Sequence, residues 1–146
     1  MFTESVRALG SLEVKLLDES GTLKDIRNVN NLVVAVGKDV IASRLVGNTI
    51  AVPSYMAVGS SATAAATSQT SLGGELGRVA FDSTTRTSNT IAYVATFGAG
   101  TGTGSLAEAG IFNAVSSGNM FCRTTFSTVT KASGDTVVIT WNLTIA

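Results

Sequence analysis

The sequence TVVITWNLTI, residues 136–145, has an apolar side chain at every second position, and the positions between them are polar except for Val138. A period of two places alternate side chains on opposite faces of a β-strand, so one face of this segment is predicted to lie in a core. The side chains on this predicted core face are Val137, Ile139, Trp141, Leu143 and Ile145. The segment at 90–97 shows the same pattern, which indicates that the fold is built from strands that each bury one face.

Strand-like runs recur along the rest of the chain at fairly regular spacing. Together they predict about eight short strands. These are Ser11–Leu17, Thr22–Val29, Ser54–Gly59, Leu76–Phe81, Thr90–Phe97, Leu106–Phe112, Met120–Val129 and Thr136–Ile145. The pattern is typical of a mainly β protein, an antiparallel sandwich or barrel, and residues 1–146 are predicted to form a single β-rich domain.

One short helix is predicted near residues 37–46. Val36, Val40, Ile41 and Leu45 fall at helical spacing, and Gly47-Asn48 follows as a stop signal. The turn at 18–21 would close a hairpin within the first thirty residues, with Gly21 at positive φ. The segments Asp82–Asn89 and Ser60–Thr70 are predicted to be a polar turn and an exposed loop.

The charge balance argues against several classes of partner. The chain has 10 Lys and Arg and 10 Asp and Glu, and only 14% of its residues are charged. A nucleic-acid interface needs a basic stripe, which this sequence lacks. No stretch approaches the roughly 20 apolar residues of a membrane helix, and Met1–Gly10 does not resemble a signal peptide. An uncharged surface rich in Thr, Ser and Asn favours self-association.

The residue types argue against catalysis. Histidine is absent, which excludes Ser-His-Asp and Cys-His mechanisms within this chain. Cys122 is the only cysteine and is predicted to be a small buried hydrophobe. The acidic residues show no metal-binding spacing. We therefore expect no enzyme, no catalytic residue, no metal and no cofactor.

Four short motifs have a simpler structural explanation. Gly98–Gly104 resembles a dinucleotide loop, but no amphipathic helix follows it, so it is predicted to connect two strands. Asp18-Glu19 lies on a turn, and Gly37-Lys38 lacks the rest of a P-loop. The sequon Asn142-Leu143-Thr144 lies in a predicted core strand and is interpreted as a chance match.

Glu108 is the one acidic residue that interrupts an apolar run. Such a side chain must find partners if it is buried. We predict a structural role, in which Glu108 accepts hydrogen bonds from backbone N–H groups at a bend or pairs with an arginine. A binding role is the alternative.

The order of these segments resembles that of a widespread group of small virion structural proteins of tailed bacteriophages, of the decoration, cement or tail-fibre type. The resemblance covers nearly the whole chain and rests on structural motifs. They are Leu12–Gly21, Asn31–Val34, Gly37–Leu45, Met56–Gly59, Leu72-Gly73, Glu75-Leu76, Tyr93–Phe97, Glu108–Asn113, Arg123–Phe126 and Asp135–Trp141.

The resemblance implies a β-sandwich-like subunit that works as a homo-oligomer in the virion, after assembly in the host cytoplasm. The chain has no extended repeat or evident N-terminal anchor, unlike long tail fibres, which favours a capsid decoration or cement subunit. Its partners would be copies of itself, as a trimer, and the major capsid protein or other virion proteins, with no nucleic acid or membrane.

Two other functions are alternatives to a capsid decoration subunit. A tail component, such as a short fibre, baseplate or adaptor subunit, would present the loops Ser60–Thr70 and Gly98–Gly104 to the host or to neighbouring subunits. A stand-alone carbohydrate-binding module would need exposed aromatic side chains, whereas aromatics are only 6% of the chain and fall mostly in phase with the core faces.

Overall fold

Nine antiparallel strands and one helix make up the fold in the computed structural model, which describes residues 3–146. The elements in chain order are β1 Ala8–Leu17, β2 Leu23–Val33, α1 Ala35–Leu45, β3 Tyr55–Gly59, β4 Glu75–Ala80, β5 Ser83–Thr87, β6 Thr90–Phe97, β7 Gly104–Phe112, β8 Met120–Lys131 and β9 Thr136–Ile145. The prediction of a mainly β, antiparallel fold with one short helix is confirmed.

The strands form one curled sheet, a half-barrel, in the order β4-β3-β7-β8-β2-β1-β9-β6-β5. The two edge strands, β4 and β5, are consecutive in the chain and are joined through Phe81-Asp82. β4 also contacts β6, and the rings of Phe81 and Tyr93 stack with centroids 4.7 Å apart. The chain thus bridges the open side of the half-barrel without a complete ladder of hydrogen bonds.

The concave side of the sheet encloses the main hydrophobic core. The alternating face predicted for β9 is confirmed for Val137, Ile139, Trp141 and Leu143, which are buried there, whereas Ile145 at the end of the strand is only partly buried. Trp141 lies opposite Leu12 of β1 and Tyr93 of β6 in the strand registers. Burial of large aromatic and aliphatic side chains at this junction contributes much of the apolar driving force for folding.

The curl opens a gap between β2 and β8, which pair only at Leu32–Arg123 and Val33–Cys122. Arg27 lies in this gap, where its Nε and Nη2 donate hydrogen bonds of 3.0 Å to the carbonyl oxygens of Ser127 and Thr128. Since unpaired backbone carbonyls are costly when they leave water, the guanidinium replaces the missing strand ladder.

The first hairpin is confirmed, with Gly21 at φ 84° in the turn. The predicted helix end is also confirmed, since Gly47 has φ 72° and donates to the carbonyl of Arg44. The predicted first residue of the helix was two positions too late, because α1 begins at Ala35. Leu45 is not a core residue, since 86% of it is exposed.

The count of strands was wrong by one. The segment Asp82–Asn89 was predicted as a polar turn, but it contains β5, which pairs with β6 from Ser83–Val94 to Thr87–Thr90. All five residues of β5 are exposed, so the strand has no alternating pattern to reveal it. Its threonines are compatible with an edge strand, and the pairing with β6 determines the structure.

Helix α1 packs closely on β8 through Gly37. A Cβ atom at this position would lie 2.0 Å from the backbone carbonyl oxygen of Phe121. Because the obstacle is backbone, it cannot rotate away, and only glycine permits this helix-to-sheet distance. The glycine next to Lys38 therefore has a packing role.

We predict that Gly37→Ala destabilises the protein by about 2 kcal/mol or more, although alanine is the better helix former by about 1 kcal/mol. The steric conflict with Phe121 outweighs the gain in helix propensity. Urea unfolding followed by circular dichroism measures the effect. The matched control is Gly98→Ala, whose added methyl meets nothing within 4 Å. A stabilised Gly37→Ala variant would contradict the packing.

Candidate functional site

Strand β7, which lies between β3 and β8, is buried on both faces, whereas strands of an antiparallel sheet commonly have one face in water. Its inner face contributes Leu106, Ala109 and Ile111 to the main core. The segment 60–74, called the covering loop here, lies over its outer face. Leu72 of this loop packs above Gly110, where a Cβ atom would come within 2.9 Å of the leucine side chain.

Glu108 lies on the outer face of β7, beneath the covering loop, and is inaccessible to solvent. Its Oε1 accepts hydrogen bonds from the backbone N–H groups of Gly74, at 2.7 Å, and Ser61, at 3.1 Å. Its Oε2 accepts one from the N–H of Gly73 at 3.0 Å. The β7–β8 register shifts between Leu106 and Glu108, so the strand bends at this residue.

Arg123 on β8 completes the arrangement from the other side. Its Nε and Nη2 donate to Glu108 Oε2 at 3.0 and 2.8 Å, and both side chains are almost fully removed from solvent. The remaining Nη1 donates to the carbonyl of Thr63, at 2.9 Å, and to Oε1 of Gln69, at 3.0 Å. Both groups of this buried ion pair therefore bind the covering loop.

The electrostatics keep Glu108 ionised. Burial alone would raise the pKa of its carboxyl, but the hydrogen bonds from Gly73, Gly74, Arg123 and Ser61 together outweigh it and hold the pKa below its ordinary value. A buried charge is tolerated only with such compensation. The structural role predicted for Glu108 is confirmed in both of its forms, backbone N–H groups and an arginine.

Ser60–Thr70 is confirmed as a loop, and the ion pair explains how such a polar segment is held. Gln69 adds an internal contact, because its Oε1 accepts from the N–H of Ala66 at 2.9 Å. Most of the serine, alanine and threonine side chains of this segment are exposed. The loop therefore presents small polar groups to solvent from a fixed backbone.

A second candidate site is an open groove between α1 and the edge formed by β5 and β6. Its volume is about 480 Å³. The groove is called the apolar groove here and is lined by Val40, Ile41, Arg44, Leu45, Val52, Pro53, Thr84, Arg86, Ile91, Tyr93, Phe121, Leu143 and Ile145. Arg44 and Arg86 are the charged residues among those that line it within 3–146.

Two further hollows lie nearby on the surface. One hollow continues from the apolar groove past Ile41 and Leu45 to residues 6–9, and it has a volume of about 450 Å³. The other, of about 410 Å³, lies on the outside of β2, β1 and β9 and is polar, with Asn28, Asn30 and Asn142 among its lining residues. In the part of the chain that the structure describes, no aromatic residue lines this polar hollow.

The other motifs singled out in the sequence are in structural positions. Gly98–Gly104 connects β6 to a strand, not to a helix, so it lacks the geometry of a dinucleotide site. Asp18 accepts hydrogen bonds from Ser20 and from the N–H of Thr22, and these bonds lower the pKa of its carboxyl. Asn142 is exposed on the outer face of β9.

Cys122 is fully buried on β8, as predicted. Burial raises the pKa of its thiol well above the ordinary value, which disfavours the reactive thiolate. Among residues 3–146, no three His, Cys, Asp or Glu side chains are grouped in a way that could hold a metal ion. No helix in the same part of the chain is long and apolar enough to cross a membrane.

The sequence identified Glu108 because a carboxylate interrupts an apolar run. It did not identify Arg123 as its partner or the apolar groove, because both depend on elements distant in the chain. Comparisons with protein-family models, with curated proteins and with solved structures found no match to this chain.

We predict that Glu108→Gln destabilises the protein by about 3–5 kcal/mol, because it leaves the Arg123 guanidinium buried without a counter-charge. Chemical unfolding gives the size of the effect, and limited proteolysis should cleave first within the covering loop. Glu13→Gln is the control, since Glu13 pairs with Lys15 on the surface, where both side chains are exposed, and its loss is expected to cost about 0–1 kcal/mol. Equal effects of the two substitutions would contradict the anchoring role.

The lowered pKa of Glu108 also predicts a pH dependence. A carboxyl whose pKa is lower in the folded than in the unfolded state stabilises the fold above the unfolded value of about 4.3, and that stabilisation is lost as the pH falls through the folded value. The difference in unfolding free energy between the native chain and Glu108→Gln should therefore shrink below about pH 4. Urea titrations across this range test it, and a constant difference would contradict it.

Proposed function

We propose that this chain is a non-enzymatic structural subunit of a tailed-bacteriophage virion, a capsid decoration or cement protein that stabilises the particle through non-covalent homo-oligomeric contacts. The observation that carries the proposal is the concentration of exposed apolar side chains beside α1 and the apolar groove. They include Val6, Leu9, Leu45, Val46 and Val52, which are 53–86% exposed.

An isolated soluble subunit rarely leaves such a surface in water, and contiguous apolar patches usually mark contacts with other proteins. Burial of this surface would add stabilisation on assembly at roughly 25 cal/mol per Å² of apolar area. The low share of charged residues supports the same interpretation, because few charges oppose close approach of copies. The phage assignment itself rests on the resemblance of the sequence segments.

The non-enzymatic part of the proposal rests on how the acidic groups are used. Glu108 is fully committed to the covering loop and Arg123, and Asp135 accepts from Lys24 and from the N–H of Ala132. Asp18 builds the β1–β2 turn. These carboxylates satisfy local structure, and none of them lines the apolar groove.

A tail component, such as a short fibre, baseplate or adaptor subunit, is the second candidate. The covering loop favours it, because its exposed small polar side chains are carried on a backbone that the buried ion pair fixes in place. A fixed loop loses little conformational entropy when it binds, which suits repeated contact with a host or neighbouring surface.

The test is the stoichiometry of this chain in purified particles, measured by quantitative mass spectrometry against the major capsid protein. We expect a copy number comparable to that of the capsid protein, because a cement subunit occupies repeated lattice sites. A copy number that is only a small fraction of that of the capsid protein would favour the tail-component proposal instead.

A host protein of similar abundance, quantified in the same particles, controls for contamination. Absence of the chain from particles, or the same level as the contaminating protein, would overturn the virion proposal in both of its forms.

A further inference from the structure

The strand registers define two opposite ends of the molecule. Ala8 pairs with Ile145 at one end of the β1–β9 ladder, and Leu17 pairs with Thr136 at the other. At about 3.3 Å per residue, these ends are roughly 30 Å apart. The apolar groove lies at the first end, since Ile145 lines it, and the β1–β2 turn lies at the second.

The groove end carries unneutralised positive charge. Arg44 and Arg86 line the apolar groove, and Arg7 and Lys38 line the hollow that continues from it. No carboxylate of the described residues, 3–146, lines either one. Within residues 3–146, none of these four cations is in an ion pair with an acidic side chain. An occupant of the groove should therefore combine apolar and anionic groups.

The opposite end has that combination in one narrow projection, the segment 17–23, called the hairpin tip here. Asp18 and Glu19 place two carboxylates on it, and Leu23 is 51% exposed beside them. The neighbouring cations balance these charges only in part, because Lys24 acts on Asp18 but also pairs with a third carboxylate, that of Asp135, and Lys131 is buried against the carbonyl of Gly98.

We propose that the apolar groove receives the hairpin tip of a second copy of this chain. Leu23 would enter among the apolar residues of the groove, while Asp18 and Glu19 approach Arg44 and Arg86 at its rim. A groove-to-groove contact between two copies would instead bring the cations together, which like-charge repulsion opposes. Charge complementarity therefore selects a head-to-tail contact.

A head-to-tail contact uses two different surfaces of each subunit. Such contacts produce rings when the rotation between copies closes, and open filaments when it does not. A trimeric cement subunit would require that this rotation closes after three copies. This inference rests on the proposed function, which it deepens by naming the surfaces that copies of the chain share.

The experiment uses the full chain and two variants that each disable one end. The groove variant is Arg44→Glu with Arg86→Glu, and the tip variant is Glu19→Ser with Leu23→Ser, which leaves the turn-forming Asp18 intact and adds no positive charge that the altered groove could bind. Sedimentation velocity over a concentration series measures assembly. We expect the native chain to associate and each variant alone to associate at least about tenfold more weakly.

Mixing the two variants is the decisive step. The intact tip of the groove variant can still enter the intact groove of the tip variant, so the mixture should form a one-to-one complex and nothing larger. The control variant Glu13→Lys with Lys15→Glu reverses an exposed ion pair on the outer face of β1 and should associate like the native chain. Circular dichroism and thermal unfolding verify that every variant is folded.

Three outcomes overturn the inference: a native chain that stays monomeric at every concentration, a tip variant that associates as strongly as the native chain, or a mixture that forms no complex. These results are independent of the particle stoichiometry. A chain that assembles head to tail but is absent from virions would refute the proposed function alone. A chain that is present in virions but monomeric when purified would refute this inference alone.

Discussion

The carboxylate of Glu108 and the guanidinium of Arg123 are both removed from water, and each has hydrogen bonds to the same covering loop. The two charges could not remain buried without these bonds, which hold the loop in place together with the buried side chain of Leu72 and the hydrogen bond from the N–H of Ala35 to the carbonyl of Thr67. The burial of the outer face of β7 depends on these hydrogen bonds, because the covering loop that they hold shields this face from solvent. The second, smaller core, which includes Leu72 and Phe112, lies under the same cover.

The curl of the sheet separates some neighbouring strands, and other contacts must replace the missing strand pairing. Where β2 and β8 separate, Arg27 satisfies the carbonyls of Ser127 and Thr128, and where β4 and β5 fail to pair, the chain itself spans the opening. The apolar groove is located at the end beside α1. The exposed apolar surface is thus a consequence of closing the half-barrel elsewhere and of a helix that contributes Val40 to the core while leaving Leu45 outside it.

Local pattern was enough to predict most of the strands, the helix, the first turn and the burial of Cys122, because each depends on residues a few positions apart. β5 escaped prediction because its burial pattern is uniform and its structure comes from pairing with β6. The role of Glu108 followed from a charge in an apolar run, but its partner Arg123 is 15 residues away on the next strand and could not be assigned. The apolar groove brings α1 together with β5 and β9, a juxtaposition that only the three-dimensional fold creates.

The covering loop is held mainly through its backbone. Glu108 binds the N–H groups of Ser61, Gly73 and Gly74, and Arg123 binds the carbonyl of Thr63, so these contacts do not read side-chain identity. Substitutions at the exposed serine, alanine and threonine positions would leave the anchor in place. The exposed side chains of the loop can therefore change while Glu108 and Arg123 keep its backbone in place. A loop of this kind can acquire new binding surfaces without loss of the fold.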